Sequence, residues 1–269
     1  TPTETFVDSL ETILVIPEFL KYLAMNVLVG SWDDYWSLMN NYYIYYEPNI
    51  KKFHWIPYDY DNTLGVDWFN IDWANANPYN FPKAQNGDRP LADRIMQNAQ
   101  YRNLYSHFLD FYNSNVITNS FYDRKIDTLH TMITPFAEND NYRKLDYGYS
   151  IEQFHNSYSS ISFKDNNHVK RGLKEFIRIR STSIPNIISF QDSEPIIYSF
   201  DYNPKFPSST DTIYVTVSAF GNLGIRNINI LYHPEELTVI EAYPLTFSPI
   251  AQTKIVEEAD RWIGKIPPL

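Results

Sequence analysis

The chain has 269 residues, enough for one large domain or two smaller ones, and 43% of them are hydrophobic, with 22 Tyr, 17 Phe and 6 Trp to fill a core. That composition excludes wholesale disorder, and no apolar run approaches the roughly 18 residues of a membrane helix. A net charge of −10 argues against a nucleic-acid partner and favours a basic protein or peptide, and the absence of cysteine removes disulfides, thiol nucleophiles and Cys-type zinc sites together. No basic-then-apolar leader is present and Thr1 stands where a start methionine would, the expectation for a mature, trimmed or fragmentary form.

In chain order, Leu20, Leu23, Ala24, Val27 and Leu28 fall on one face of a predicted helix over Pro17 to Val29, with Pro17 in its first turn and Gly30 just past its end. An acidic loop with Asp33 and Asp34 follows. Asn41 to Tyr46 is aromatic and β-branched and reads as a strand. A loop from Glu47 to Lys52 then returns the chain into a partner strand, Phe53 to Tyr58. From about Leu91 to Ile188 the pattern is helical, with Leu104, Phe108, Phe111 and Tyr112 at helical spacing and further helices expected over Asp123 to Ile133 and Val169 to Ile179. The basic set Lys170, Arg171, Lys174, Arg178 and Arg180 is expected to solvate a helix or pair with this protein's own carboxylates. Beyond Pro195, Ile196 to Tyr202, Thr212 to Ala219 and Asn227 to Tyr232 alternate as in a small β-sandwich, an immunoglobulin-like module possessing fewer residues than the usual ~100. The expected fold is α+β, divided at residues 1–190 and 191–269.

Chemistry concentrates in Phe53 to Gly65, where an apolar strand delivers Asp59 and Asp61 onto a turn closed by glycine. Magnesium takes hard oxygen ligands and retains several waters, so one or two carboxylates beside substrate phosphates suffice. Residues i and i+2 of an extended segment point the same way, so Asp59 and Asp61 converge on one ion if extension persists through Tyr60. A solvated turn is the plain alternative. An EF-hand loop fails on spacing, since Gly65 is seventh and Asn70 twelfth from Asp59. The six histidines show no zinc spacing, no Gly-x-Ser-x-Gly elbow is present, and Arg89 and Arg94 are expected to pair with Asp88 or Asp93.

Three blocks in order, Gly30-Ser31-Trp32-Asp33, Asn40-Asn41-Tyr42-Tyr43-Ile44-Tyr45 and Ile56-Pro57-Tyr58-Asp59-Tyr60-Asp61-Asn62-Thr63-Leu64-Gly65, resemble the spore-coat protein H (CotH) kinase family over roughly residues 5 to 185. The family usually has Trp at Tyr58 and often His at Asn40. The resemblance implies the mostly helical C-lobe of an atypical protein-kinase-like fold. It further implies phosphotransfer from ATP·Mg to a basic, Ser-rich protein, in a bacterial spore coat or another exported, surface-associated setting. By resemblance Asp33 engages the substrate hydroxyl, Asn41 and Asp59 hold magnesium on the phosphates, and Asp61 is a further ligand or supports one. The Asn role stays open to Asn40, and the Asp role to Asp34. Only 32 residues precede Asp33, so the phosphate-cradling lobe is expected to be missing and this chain alone to bind ATP weakly. The alternatives are a catalytically degenerate scaffold and a haloacid-dehalogenase-type phosphatase, in which Asp59 is the nucleophile and alternating strands and helices follow.

Overall fold

A computed structural model describes residues 3–145, 148–159, 168–169, 171–233 and 240–268. Among them lie eight α-helices and eight strands in small antiparallel sheets, an α+β fold. The chain divides into two compact units, one of residues 1–98 and 108–189, the other of residues 99–107 and 190–269.

The first unit begins with α1 (Thr3–Glu11) and α2 (Ile16–Val29). Leucines and a phenylalanine at helical spacing drive α2 into the core, where Phe19, Leu20, Leu23, Val27 and Leu28 are fully buried. Gly30 stops the helix at φ 65°, and Ser31 N–H bonds back to Asn26 O at 2.9 Å. A Cβ at Gly30 would also stand 2.6 Å from the Phe176 ring, so glycine is required there on two counts.

Strands β1 (Tyr42–Glu47) and β2 (Lys52–Pro57) form the expected hairpin, each displaced by about one residue from the sequence reading. Trp55 anchors it: the indole stacks on Tyr42 at 4.3 Å and meets Phe19 edge-on at 4.7 Å. His54 ties the hairpin to α2, with Nδ1 2.9 Å from Glu18 Oε2 and Nε2 2.8 Å from Glu47 Oε2. Burial works against its protonation, but the hydrogen bonds to Glu18 and Glu47 outweigh it and hold the imidazole above its usual 6.5. A group whose folded value is raised stabilises most below its unfolded value and loses that contribution as pH rises through the folded one. His54→Ala is therefore expected to cost about 1 kcal/mol at roughly pH 6 and almost nothing near pH 9, a difference that urea unfolding at the two pH values would read.

The rest of this unit is helical: α3 (Pro90–Ile95), the part of α4 (Ala99–Asn115) from Phe108 on, α5 (Asn119–Glu138), α6 (Ile151–Ser157) and α7 (Leu173–Ser183). A short 3₁₀ turn, Arg143–Leu145, interrupts the run and another, Ile184–Asn186, follows it. Helix α6 opens on a full capping box between Ser150 and Gln153. Helix α7 starts four residues later than the periodicity predicts, because Val169 bridges to Val66 and Gly172 is the N-cap. Of the basic set, Arg171 pairs with Asp72 and Glu175 and Lys174 with Asp127, as expected, while Lys170 lies outside the described residues. Arg180 departs from that expectation: it is fully buried, donating to the carbonyls of Val27 and Ala76. No alternating strands and helices follow Gly65, so the phosphatase topology is not found among the described residues.

In the second unit β3 (Ile196–Asn203), β4 (Ile213–Phe220), β5 (Asn229–Tyr232), β6 (Glu241–Pro244), β7 (Thr246–Phe247) and β8 (Arg261–Ile266) form a four-stranded sheet ordered β3-β4-β8-β7 and a separate ribbon β5-β6. A short helix, α8 (Val256–Ala259), precedes β8. Val215, Val217, Ala219 and Leu245 form its core, with Ile228, Ile230 and Trp262 packed on them. The first turns of α4 group with this sheet: Asn103 donates to Gln191 O at 2.7 Å and accepts from Gln191 N–H at 2.8 Å. Among the described residues no helix is long and apolar enough to cross a membrane.

Candidate functional site

The loop leaving α2 separates two adjacent aspartates. Asp34 turns inward and is almost completely buried, its carboxylate accepting from Ser37 N–H and the Asn26 amide, both at 2.8 Å. Its backbone carbonyl also closes the loop, accepting from Leu38 and Asn40 N–H. Burial pushes Asp34 up to about 6, held back from rising further by those hydrogen bonds and by the Arg89 charge. Asp33 instead stays half-buried at the surface, accepting from Asn40 Nδ2 at 3.0 Å and Asn62 Nδ2 at 3.3 Å.

The acidic turn is fastened to α2 and the loop leaving it at four points. Asn62 reaches Asp33, Leu64 N–H bonds to Val29 O at 2.8 Å, Trp32 Nε1–H bonds to Val66 O at 2.8 Å, and Tyr60 O–H donates to Asn26 Oδ1 at 2.7 Å. Burial and the nearby Asp34 charge raise the Tyr60 phenol to about 12, so it remains a donor at neutral pH. Asn26 thereby links Asp34 in the loop to Tyr60 between Asp59 and Asp61.

Asp59 and Asp61 are both exposed. The extension through Tyr60 that their convergence assumes is absent, because β2 ends at Pro57 and Asp59 takes the left-handed φ of 53°. Aspartate tolerates that region better than most side chains, since its short polar group bonds locally; here Oδ1 lies 3.5 Å from Asp61 N, at the limit of a hydrogen bond. Asn41, also left-handed at φ 52°, stands at the entrance to β1, and among the described residues no hydrogen bond ties its side chain to Asp33. It is Asn40 that touches Asp33. No group of three or more His, Asp or Glu placed to hold a metal is found among the described residues.

Three supports escape sequence reading. Asn62 carries a signal only as the residue after Asp59-x-Asp61. Asp67 is buried and accepts from the N–H groups of Phe69 and Ile71 and from Trp73 Nε1, fixing an aromatic loop in which Trp32 meets Phe69 at 5.1 Å and Trp73 at 6.5 Å; the recurrence of Asp before alternate aromatics is its only local trace. Arg89 departs from the expected pairing with Asp88 or Asp93: its fully buried guanidinium donates to the carbonyls of Ser37, Gln85 and Gly87 at 2.7 to 2.9 Å. Arg94 lies over the Phe6 ring at 3.7 Å.

The site is thus an acidic turn that follows the hairpin and is tied to α2 and the aspartate loop after it. The family model described as CotH kinase protein covers residues 1–184, and the chain belongs to that family. Among curated relatives, it is 22% identical over 65% of its length to Spore coat protein homolog 1 of Rhizopus delemar and 24% identical over 67% to Invasin CotH2 of the same fungus. It is 27% identical over 57% of its length to Inner spore coat protein H of Bacillus subtilis. The aligned parts make up 30%, 32% and 39% of those proteins, so the chain spans about a third of the relatives it matches.

Proposed function

We propose that the polypeptide carrying this chain is a CotH-type kinase that moves the γ-phosphoryl of ATP·Mg to a Ser or Thr hydroxyl of a basic, Ser-rich protein at a coat or cell surface. The observation that supports this best is the Asp33–Asn62 contact, which sets a loop carboxylate beside the Asp59/Asp61 turn. Asp33 is the group that accepts the hydroxyl proton as the new O–P bond forms and the bond to the ADP oxygen breaks. Asp59, with Asp61 and the Asn41 side-chain oxygen, would hold magnesium; these are hard oxygen donors of the kind that ion selects, and few are needed when phosphates and water complete its shell. An ion held by these residues would supply positive charge to offset that developing on the phosphates. Asn40 and Asn62 keep Asp33 oriented. Relatives named as spore coat proteins and an invasin support the surface setting.

The test is transfer of labelled phosphate from ATP to a Ser-rich basic protein by the full-length protein and by its Asp59→Ala variant. Transfer that falls at least about 100-fold in the variant supports the reading. Equal transfer by both removes Asp59 from the site, and none by either leaves a scaffold with a kinase-like fold.

A further inference from the structure

Strands β4, β7 and β8 line an open groove of about 350 Å³ in the second unit, a volume within the roughly 300–1,000 Å³ of small-ligand sites. Its walls are apolar: Phe220 at the end of β4, Ile225 in the loop beyond, Phe247 on β7 and Trp262 on β8. The Phe247 and Trp262 rings stand 5.3 Å apart at 51°, offering two inclined π faces.

Among the described residues Asp260, between α8 and β8, is the one ionisable side chain in that lining. Its placement is fixed from behind. Oδ2 lies 2.6 Å from His107 Nε2 and accepts from the Tyr198 hydroxyl at 2.6 Å, while the His107 ring stacks on Phe220 at 4.0 Å and 12°. The carboxylate is only 15% exposed, and Oδ1 accepts no hydrogen bond from the described residues.

A sugar needs several convergent polar partners, and this lining offers no side-chain amide or hydroxyl. An anion meets Asp260. A cation on an aliphatic stem satisfies every wall, its methylenes against Ile225 and the rings, its head on Oδ1 and the π faces. We propose that this open groove binds the side chain of a lysine or arginine on a protein partner. The chain's net charge of −10 draws such a partner in. The proposal stands apart from the phosphotransfer reading, since no residue is shared.

The experiment follows the Trp262 indole N–H by NMR in the full chain while N-acetyl-lysine methylamide or its arginine counterpart is added. N-acetyl-norleucine methylamide is the uncharged control, and glucose the polyol control. Saturable shifts with a dissociation constant of about a millimolar are expected for the two cations, the range for ligands of this size. Asp260→Asn should weaken binding at least about tenfold. Phe247→Ala, on a half-exposed edge position that leaves the core intact, should weaken it about threefold. Equal binding of norleucine amide, saturation by glucose in place of the cations, absence of saturation by either cation, or unchanged affinity in a folded Phe247→Ala protein would each overturn the assignment.

Discussion

Replacing Arg89 with methionine is expected to lower the unfolding free energy of the first unit by about 3–4 kcal/mol, read as a shift of its urea midpoint at unchanged slope. The guanidinium is fully buried and has no carboxylate hydrogen-bonded to it among the described residues. It instead gathers the carbonyls of Ser37, Gln85 and Gly87. Each hydrogen bond to a charged group contributes about 1.5–3 kcal/mol, and their loss leaves buried acceptors unpaired. Relief of a buried charge offsets part of this. Lysine does not substitute, because a point ammonium cannot span carbonyls that the planar fork meets together. Ser37 shares its loop with Asp33 and Asp34, so the same substitution loosens the candidate site. A loss below about 1 kcal/mol would show that the carbonyls find other partners.

The second large effect belongs to Asp34 and is visible in the pH dependence of stability. Its folded value of about 6 lies above the ordinary 3.8, so between these the folded chain binds more protons than the unfolded one. Stability from this group therefore falls as pH rises, fully present below about 4 and lost above about 6, with a span of about 3 kcal/mol. Most carboxylates act in the opposite sense. Asp34→Asn, which cannot ionise, should remove that slope, so the variant's stability relative to wild type improves by about this amount from pH 4 to pH 7. Parallel stability curves would show that Asp34 stays charged throughout, held by Ser37, Asn26 and Arg89.

Much of the fold near the site is legible in the sequence because its signals are local. Leu20, Leu23, Val27 and Leu28 mark α2, Gly30 marks its end, and the aromatic run before Glu47 marks β1. Strand β7, two residues long, carries no period to detect, and α8 is one turn. The start of α7 is set by a tertiary bridge from Val169 to Val66, which no window over α7 contains. The site divides in the same way. Asp33, Asp59 and Asp61 stand out by type and spacing, whereas the contacts that position them join Asp33 to Asn62 and Asn26 to Tyr60 across 29 and 34 residues. Arg89 misleads for a related reason: acidic neighbours in sequence predict ion pairs, but burial hands its donors to backbone carbonyls.

The four-point fastening of the acidic turn makes its shape independent of its acidity. Every tie runs through Asn62, Tyr60, Leu64 N–H or Trp32, and none through the carboxylates of Asp59 or Asp61. Asp61 is thus replaceable without disturbing that frame, while Asp59, at φ 53°, calls for a residue that accepts the left-handed region. The ties that hold the turn against α2 and its loop therefore stand whether or not it carries two carboxylates.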